Sequence, residues 1–378
     1  MAQWMCFRKI EELLTLQGAA QKDGRKVKAE DLSIIKEAAI LAKDGKICWV
    51  GPDKNLNSAV LQEHGASRNI EEHFFRGQTV MPAFVECHTH MVFAGDRSTE
   101  FDQRIQGKSY KEIAQEGGGI LATVEATRKT SKRQLVDLAK IRLDKFVRQG
   151  VTALEIKSGY ALDESNEIKI LEAASELKDI KIVRTFLGAH AFPQDMNAEA
   201  YKSLLLEKLI PKVAHHKLAE RVDIFIEKDY FTPEFAREYL AQAKKYEFDI
   251  VAHVEQLSHS GGTSVALELG ACSIDHAVEI SNDEIQKIAA SQVTVVLLPG
   301  ADFYLNLKYP PARQLIDAGA RVALATDFNP GSCPTQDLSL IGLLARLQMR
   351  MSLAEVIAAY TVGAAHALNL AGERGSLD

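Results

Sequence analysis

The chain of 378 residues has no CxxC pair, and its five cysteines (Cys6, Cys48, Cys87, Cys272 and Cys333) are odd in number and far apart. A disulfide framework and a zinc ribbon are therefore not indicated, and a reducing compartment fits best. Long hydrophobic runs are missing too, so no segment is long enough to span a bilayer. The N-terminus, Met1-Ala-Gln-Trp-Met-Cys-Phe-Arg-Lys9, reaches charge before a signal-peptide core can form. These absences lead to the expectation of a soluble, cytoplasmic protein. An excess of basic charge is also lacking: 45 Lys+Arg face 51 Asp+Glu, a net charge of −6. With no basic block, an electrostatic nucleic-acid binder is disfavoured. No G-x-G-x-x-G follows the first predicted strand, which removes the usual reason to expect a dinucleotide-binding open sheet. What is present is an ordinary globular balance, 46% hydrophobic and 25% charged, with room for one large domain and a smaller one.

Short apolar runs alternate with longer amphipathic segments over most of the chain. The runs are Val80–Cys87, Val151–Ile156, Ile180–Leu187, Val222–Ile226, Asp249–His253, Cys272–His276, Val293–Leu298 and Arg321–Thr326. Helical spacing between them predicts helices over Glu164–Leu177, Pro233–Tyr246, Thr263–Leu269, Asp283–Ala290 and Gln336–Met349. Strands alternating with helices imply parallel βαβ units. Eight of them predict an α/β fold, a (β/α)8 TIM-type barrel over residues 79–351. Residues 1–78 are expected to form a small β-rich domain, because Ala39–Gly51 alternates around an Asp44-Gly45 turn. Residues 352–378 hold an Ala-rich helix (Leu353–Leu370) and a return toward the small domain. Glu116-Gly-Gly-Gly119 lacks the Lys-Ser/Thr of a phosphate loop and is read as a mobile loop near the barrel mouth.

The first apolar run ends in His88-Thr89-His90. Side chains at i and i+2 of a strand point the same way, so the two imidazoles project together. That is half of a divalent-metal site, or a pair of ordinary strand-end histidines. The other polar residues bear on the choice. Reacting groups of barrel enzymes sit at the C-terminal ends of the strands. His190 ends the third predicted strand, His253 the fifth, His276 the sixth and Asp327 the eighth. His64, His73, His215, His216, His259 and His366 fall in loops or helices and are read as solvated or structural. Imidazoles and a carboxylate on one rim suit metal-assisted hydrolysis, with zinc or iron activating a water. Asp327 could ligate the metal and accept a proton, while His276 could polarise a carbonyl. Arg97, just past the histidine pair, suits capture of a carboxylate. Its alternative is a surface arginine paired with Asp96 or Glu100.

These residues resemble the metal-dependent amidohydrolase superfamily. Within it the chain is similar to the cyclic-amide hydrolases of histidine degradation. The matching segments are Met81-Pro-Ala-Phe-Val-Glu-Cys-His-Thr-His90, Phe93-Ala-Gly-Asp-Arg97, Glu155-Ile-Lys-Ser-Gly-Tyr160, Thr185-Phe-Leu-Gly-Ala-His190 and Ala325-Thr-Asp-Phe-Asn-Pro-Gly-Ser332. The resemblance implies hydrolysis of 4-imidazolone-5-propanoate to N-formimino-L-glutamate. It implies one zinc or iron ion on His88, His90, His253 and Asp327, with Arg97 and Tyr160 on the propionate carboxylate. His190, Gln256 and Ser332 would contact the ring, Asn329 and Gly331 the product end, and His276 the carbonyl. Homodimers are common among such proteins, and the absence of a lysine bridge after the fourth strand implies a mononuclear site. Two departures stand out. Gln256 occupies a position where some relatives carry Glu, with an acid at Glu255 instead. Gln cannot shuttle a proton, so that step would fall to Asp327 and His276. The resemblance also implies a β-sandwich completed by strands beyond Asp378, so unpaired edges and lower stability are expected. The alternatives are a deaminase of cyclic amidines and an inactive truncated relic.

Overall fold

The computed structural model describes residues 3–66, 69–108, 112–113 and 118–377. Glu116 and Gly117 of the glycine run, and Asp378, lie outside the described residues.

Two sheets organise the chain. The smaller has five strands: β1 (Trp4–Leu14), β2 (Ile34–Lys43), β3 (Lys46–Pro52), β4 (Ile70–Phe74) and β5 (Thr79–Val80), in the order β3-β2-β1-β4 with β5 also on β1. The β2–β3 hairpin turns at the expected Asp44-Gly45, where both residues have positive φ (50° and 78°), as a type I′ turn requires. The larger sheet is the barrel: β6 (Phe84–Glu86), β7 (Val151–Lys157), β8 (Lys181–Ala189), β9 (Arg221–Ile226), β10 (Asp249–Val254), β11 (Ser273–His276), β12 (Thr294–Leu297) and β13 (Arg321–Leu324). Each pairs in parallel with its sequence neighbours. The seam between β6 and β13 is made just past their ends. There Thr89 bridges Phe328 in parallel, the Asp327 N–H donates to His88 O (3.1 Å) and the His90 N–H to Phe328 O (2.9 Å). The histidine pair and the aspartate are therefore held by the hydrogen bonds that close the barrel.

The eight expected barrel strands are present, with one difference. The run Val80–Cys87 is two strands, because Met81-Pro82-Ala83 interrupts it and Pro82 has no N–H to donate to a ladder. Val80 pairs with Leu13 of the small sheet, and only Phe84–Glu86 enters the barrel. Four of the five predicted helices begin one residue after side-chain caps: Asp163, Thr232, Ser281 and Asp337 each accept a backbone N–H from the first turn. Capping by Asp337 explains why the helix expected from Gln336 begins at Leu338. The main core lies between strands and helices. A second apolar cluster joins Val85, Ala153, Val296 and Ala323 inside the barrel to Ala364, Ala365 and Leu368 of the last helical segment, which plugs the N-terminal end. Close approach needs Gly363: a Cβ there would meet Val322 O at 2.1 Å. No helix among the described residues is long and apolar enough to cross a membrane.

Candidate active site

At the C-terminal ends of the strands, His88, His90, His253, His276 and Asp327 meet with at most 3% exposure each. His88 Nε2 lies 3.3 Å from His90 Nε2 and 3.3 Å from Asp327 Oδ1, and His90 Nε2 lies 3.5 Å from the same oxygen. Donor atoms of His88, His90 and His253 fall within 4.8 Å of one another, as do those of His88, His276 and Asp327. The His253 Nε2 is buried with no hydrogen-bond partner among the described residues. Burial first of all, then neighbouring positive groups, holds the pKa of His88, His90 and His276 well below the usual imidazole value. Neutral imidazoles and one carboxylate around an orphaned nitrogen fit a divalent cation. The strand ends turn sharply to present these groups. His276 and Asp327 have φ of 76° and 54°, a region that costs a non-glycine residue roughly 1 kcal/mol or more.

Beneath the cluster the barrel interior is charged. Strand alternation turns Glu155, Lys157, Arg221, Asp223 and Asp275 inward, all fully buried. Lys157 Nζ contacts Asp223 at 2.7 Å, Glu155 at 2.9 Å and Asp275 at 3.2 Å, and Arg221 binds Glu155 at 2.9 Å. Burial works against the Lys157 ammonium, but the three carboxylates outweigh it and raise its pKa. Two of these acids reach the cluster. His88 Nδ1 donates to Asp275 Oδ2 at 2.8 Å, and His253 Nδ1 lies 3.0 Å from Asp223 Oδ2. Both pairs orient the ring and leave Nε2 aimed at the centre, as outer carboxylates do for ligating histidines. For His253 burial opposes the charged form, yet Asp223 prevails and its pKa is raised. Glu86 accepts the His88 and Thr326 N–H groups, and burial pushes its carboxyl up to about 8.

The cluster opens into a cavity of about 380 Å³. Its wall contains Arg97, Tyr160, His190, Gln256, Asn329, Gly331 and Ser332, so the expected substrate-binding residues come together with the expected ligands. His190 stacks on His90 with centroids 5.1 Å apart, and its Nδ1 donates to Gly159 O at 3.1 Å. Arg97 packs against Gly331, where a Cβ would come within 1.9 Å of Nη1. Arg97 also pairs with Glu100 at 2.8 Å, so it is both ion-paired and part of the cavity wall. Asn329 uses its amide locally: Oδ1 accepts from Gly331 and Ser332 N–H, and Nδ2 donates to Asp327 O and Ser332 Oγ. Glu255 does not replace the acid missing at Gln256. Its buried carboxylate turns away to the Thr263 N–H and hydroxyl at the start of the helix Gly262–Leu269, while Gln256 faces the cavity.

A model of the amidohydrolase family matches residues 79–378. An imidazolonepropionase of Bdellovibrio bacteriovorus is 55% identical over 372 residues, spanning 98% of this chain and 87% of that protein. The chain belongs to the amidohydrolase family, in its imidazolonepropionase branch. A Geobacillus imidazolonepropionase is 43% identical over 376 residues, covering 98% of this chain and 88% of its own. The fold recurs in zinc-bound proteins of known structure. One is an atrazine chlorohydrolase from Arthrobacter aurescens (TM-score 0.64, 17% identity, 99% of this chain and 84% of that one). Another is an adenosine deaminase from Xanthomonas campestris (TM-score 0.64, 15% identity, 99% and 82%).

Sequence reasoning passed over the charged floor. Its signal was there: Asp223 interrupts Val222–Ile226, Asp275 interrupts Cys272–His276, and Glu155 and Lys157 sit two apart in a buried strand. A charge inside an apolar strand needs a partner, and these residues partner one another.

Proposed function

We propose that this chain hydrolyses the cyclic-amide C–N bond of 4-imidazolone-5-propanoate, giving N-formimino-L-glutamate. One observation carries the reading: His90, His253 and Asp327, which close over the buried His88, line a single cavity with Arg97 and Tyr160. One zinc or iron ion would be held by those three histidines and the aspartate. When bound, such an ion lowers the pKa of a water to about 7 and polarises a carbonyl. Arg97 and Tyr160 take the propionate carboxylate and set the ring against the cluster. Asp327, its Oδ2 3.4 Å from Ser332 Oγ, accepts the proton of the attacking water. His276, buried beside His253, steadies the charge that develops on the carbonyl oxygen. The bond from the carbonyl carbon to the ring nitrogen breaks and the ring opens: the nitrogen takes the proton, and the carbonyl carbon, still bonded to its neighbouring ring carbon, becomes a carboxylate. Gln256 contributes a hydrogen bond to the ring and no proton transfer.

A nucleobase deaminase could use the same ligands, but a nucleobase offers no carboxylate to Arg97 and Tyr160. Turnover of imidazolone propionate is therefore compared with that of guanine and cytosine on the metal-loaded protein. Consumption of the imidazolone alone is expected; consumption of the nucleobases alone refutes the reading.

A further inference from the structure

Two guanidinium groups line the cavity, Arg97 and Arg104, and they differ in what surrounds them. Arg97 is bound to Glu100 through Nε (2.9 Å) and Nη2 (2.8 Å), and both side chains of the pair are about a tenth exposed. The other oxygen of Glu100 accepts the Gly119 N–H at 2.8 Å. Among the described residues, Glu100 and Asp327 are the acids of the cavity wall, and Asp327 belongs to the histidine cluster. The charge of Arg97 is thus largely cancelled before any ligand arrives.

Arg104 has no carboxylate partner among the described residues. It lies near the end of the helix Ser98–Ile105, half-buried, with its guanidinium carbon 4.5 Å from the Tyr304 ring centroid and 5.8 Å from that of Phe101. Those rings stack on each other at 5.1 Å. The rings hold the guanidinium from its face, and its N–H edge, with no carboxylate partner among the described residues, suits a planar anion. The nearby wall is apolar, with Ile113, Ile120, Leu305 and Leu307, so a charge-assisted hydrogen bond there competes with less water.

We propose that Arg104 is a second carboxylate-binding residue at the cavity mouth, selecting anionic substrates ahead of Arg97. This rests on reading the cavity as the site for a carboxylated cyclic amide. The bland role it must beat is that of a clip, with Arg104 merely fastening the helix Ser98–Ile105 onto Tyr304.

The test measures binding, independently of turnover. Imidazole propionate, which has the side chain but no amide bond to cleave, and its neutral propionamide are titrated calorimetrically into the full chain, Arg104→Gln and Arg104→Lys. The acid-over-amide affinity ratio should fall about tenfold in Arg104→Gln and recover in part in Arg104→Lys. The deficit should shrink as salt rises. An unchanged ratio overturns the proposal. Equal weakening for acid and amide also overturns it, since a clip acts on both alike. Failure of the hydrolase reading would appear separately, as absence of imidazolone turnover in the unsubstituted chain.

Discussion

The floor of the site and its mouth are built in opposite ways. In the floor, Lys157, Arg221, Glu155, Asp223 and Asp275 are fully buried and bind one another. At the mouth, Leu257 is 52% exposed, and Arg104 lies against aromatic rings, with no acid on it among the described residues. The floor can act only through what it positions, the Nε2 atoms of His88 and His253. The mouth can act only on what enters. A fixed base for the chemistry and an adaptable rim for the substrate follow from burial alone.

Breaking each region should therefore leave a different mark. The largest effect is expected at the boundary between them. His88→Ala or Asp327→Ala removes a proposed metal ligand and should lower turnover by at least about 10³-fold, read in steady-state assays with the metal content measured alongside. Next is the floor. Lys157→Met leaves three buried carboxylates facing each other and should cost about 3–5 kcal/mol in urea unfolding. It should also weaken metal retention, because Asp223 and Asp275 lose the cation that places them. At the mouth, Arg97→Lys keeps the charge but loses the planar fork, and kcat/KM for the imidazolone should fall about 10- to 100-fold with little loss of stability.

The smallest effect depends on pH. Asp302, beyond β12, is buried with neither oxygen hydrogen-bonded among the described residues, and burial, aided by the charge of Asp327, pushes its carboxyl up to about 8. The folded state thus keeps a proton that the unfolded chain releases near the ordinary carboxylate value. This contribution to stability is fully present below that value and is lost as pH rises through about 8. Asp302→Asn, which cannot ionise, should gain on the unsubstituted chain as pH rises from 5 to 8, seen as a widening gap between urea midpoints. A gap constant with pH would mean that Asp302 is not a buried acid.

The barrel was legible because strand and helix periods alternate along the chain. Its rim was legible because metal-competent side chains recur at predicted strand ends. His88, His90, His253 and Asp327 each follow a run of Val, Ile, Ala or Phe, and such runs are read without knowing the partner strand. Less legible were features that depend on distance between remote segments. Asp223 and Asp275 acquire meaning only when the barrel brings them beside Lys157. Arg97 offered two readings from sequence, a surface ion pair or a substrate ligand, and the structure shows a nearly buried pair with Glu100 whose guanidinium also lines the cavity. The break at Pro82 was visible as a residue without an N–H, but the apolar run around it concealed the change of sheet.

The central claim is that the three histidines and Asp327 hold a single catalytic ion. Elemental analysis of the purified chain, paired with imidazolone turnover before and after chelation, tests it most directly. About one zinc or iron per chain is expected, with activity lost on chelation, restored on reloading, and both ion and activity absent from His88→Ala. Retention of the ion and of full turnover by His88→Ala would contradict it.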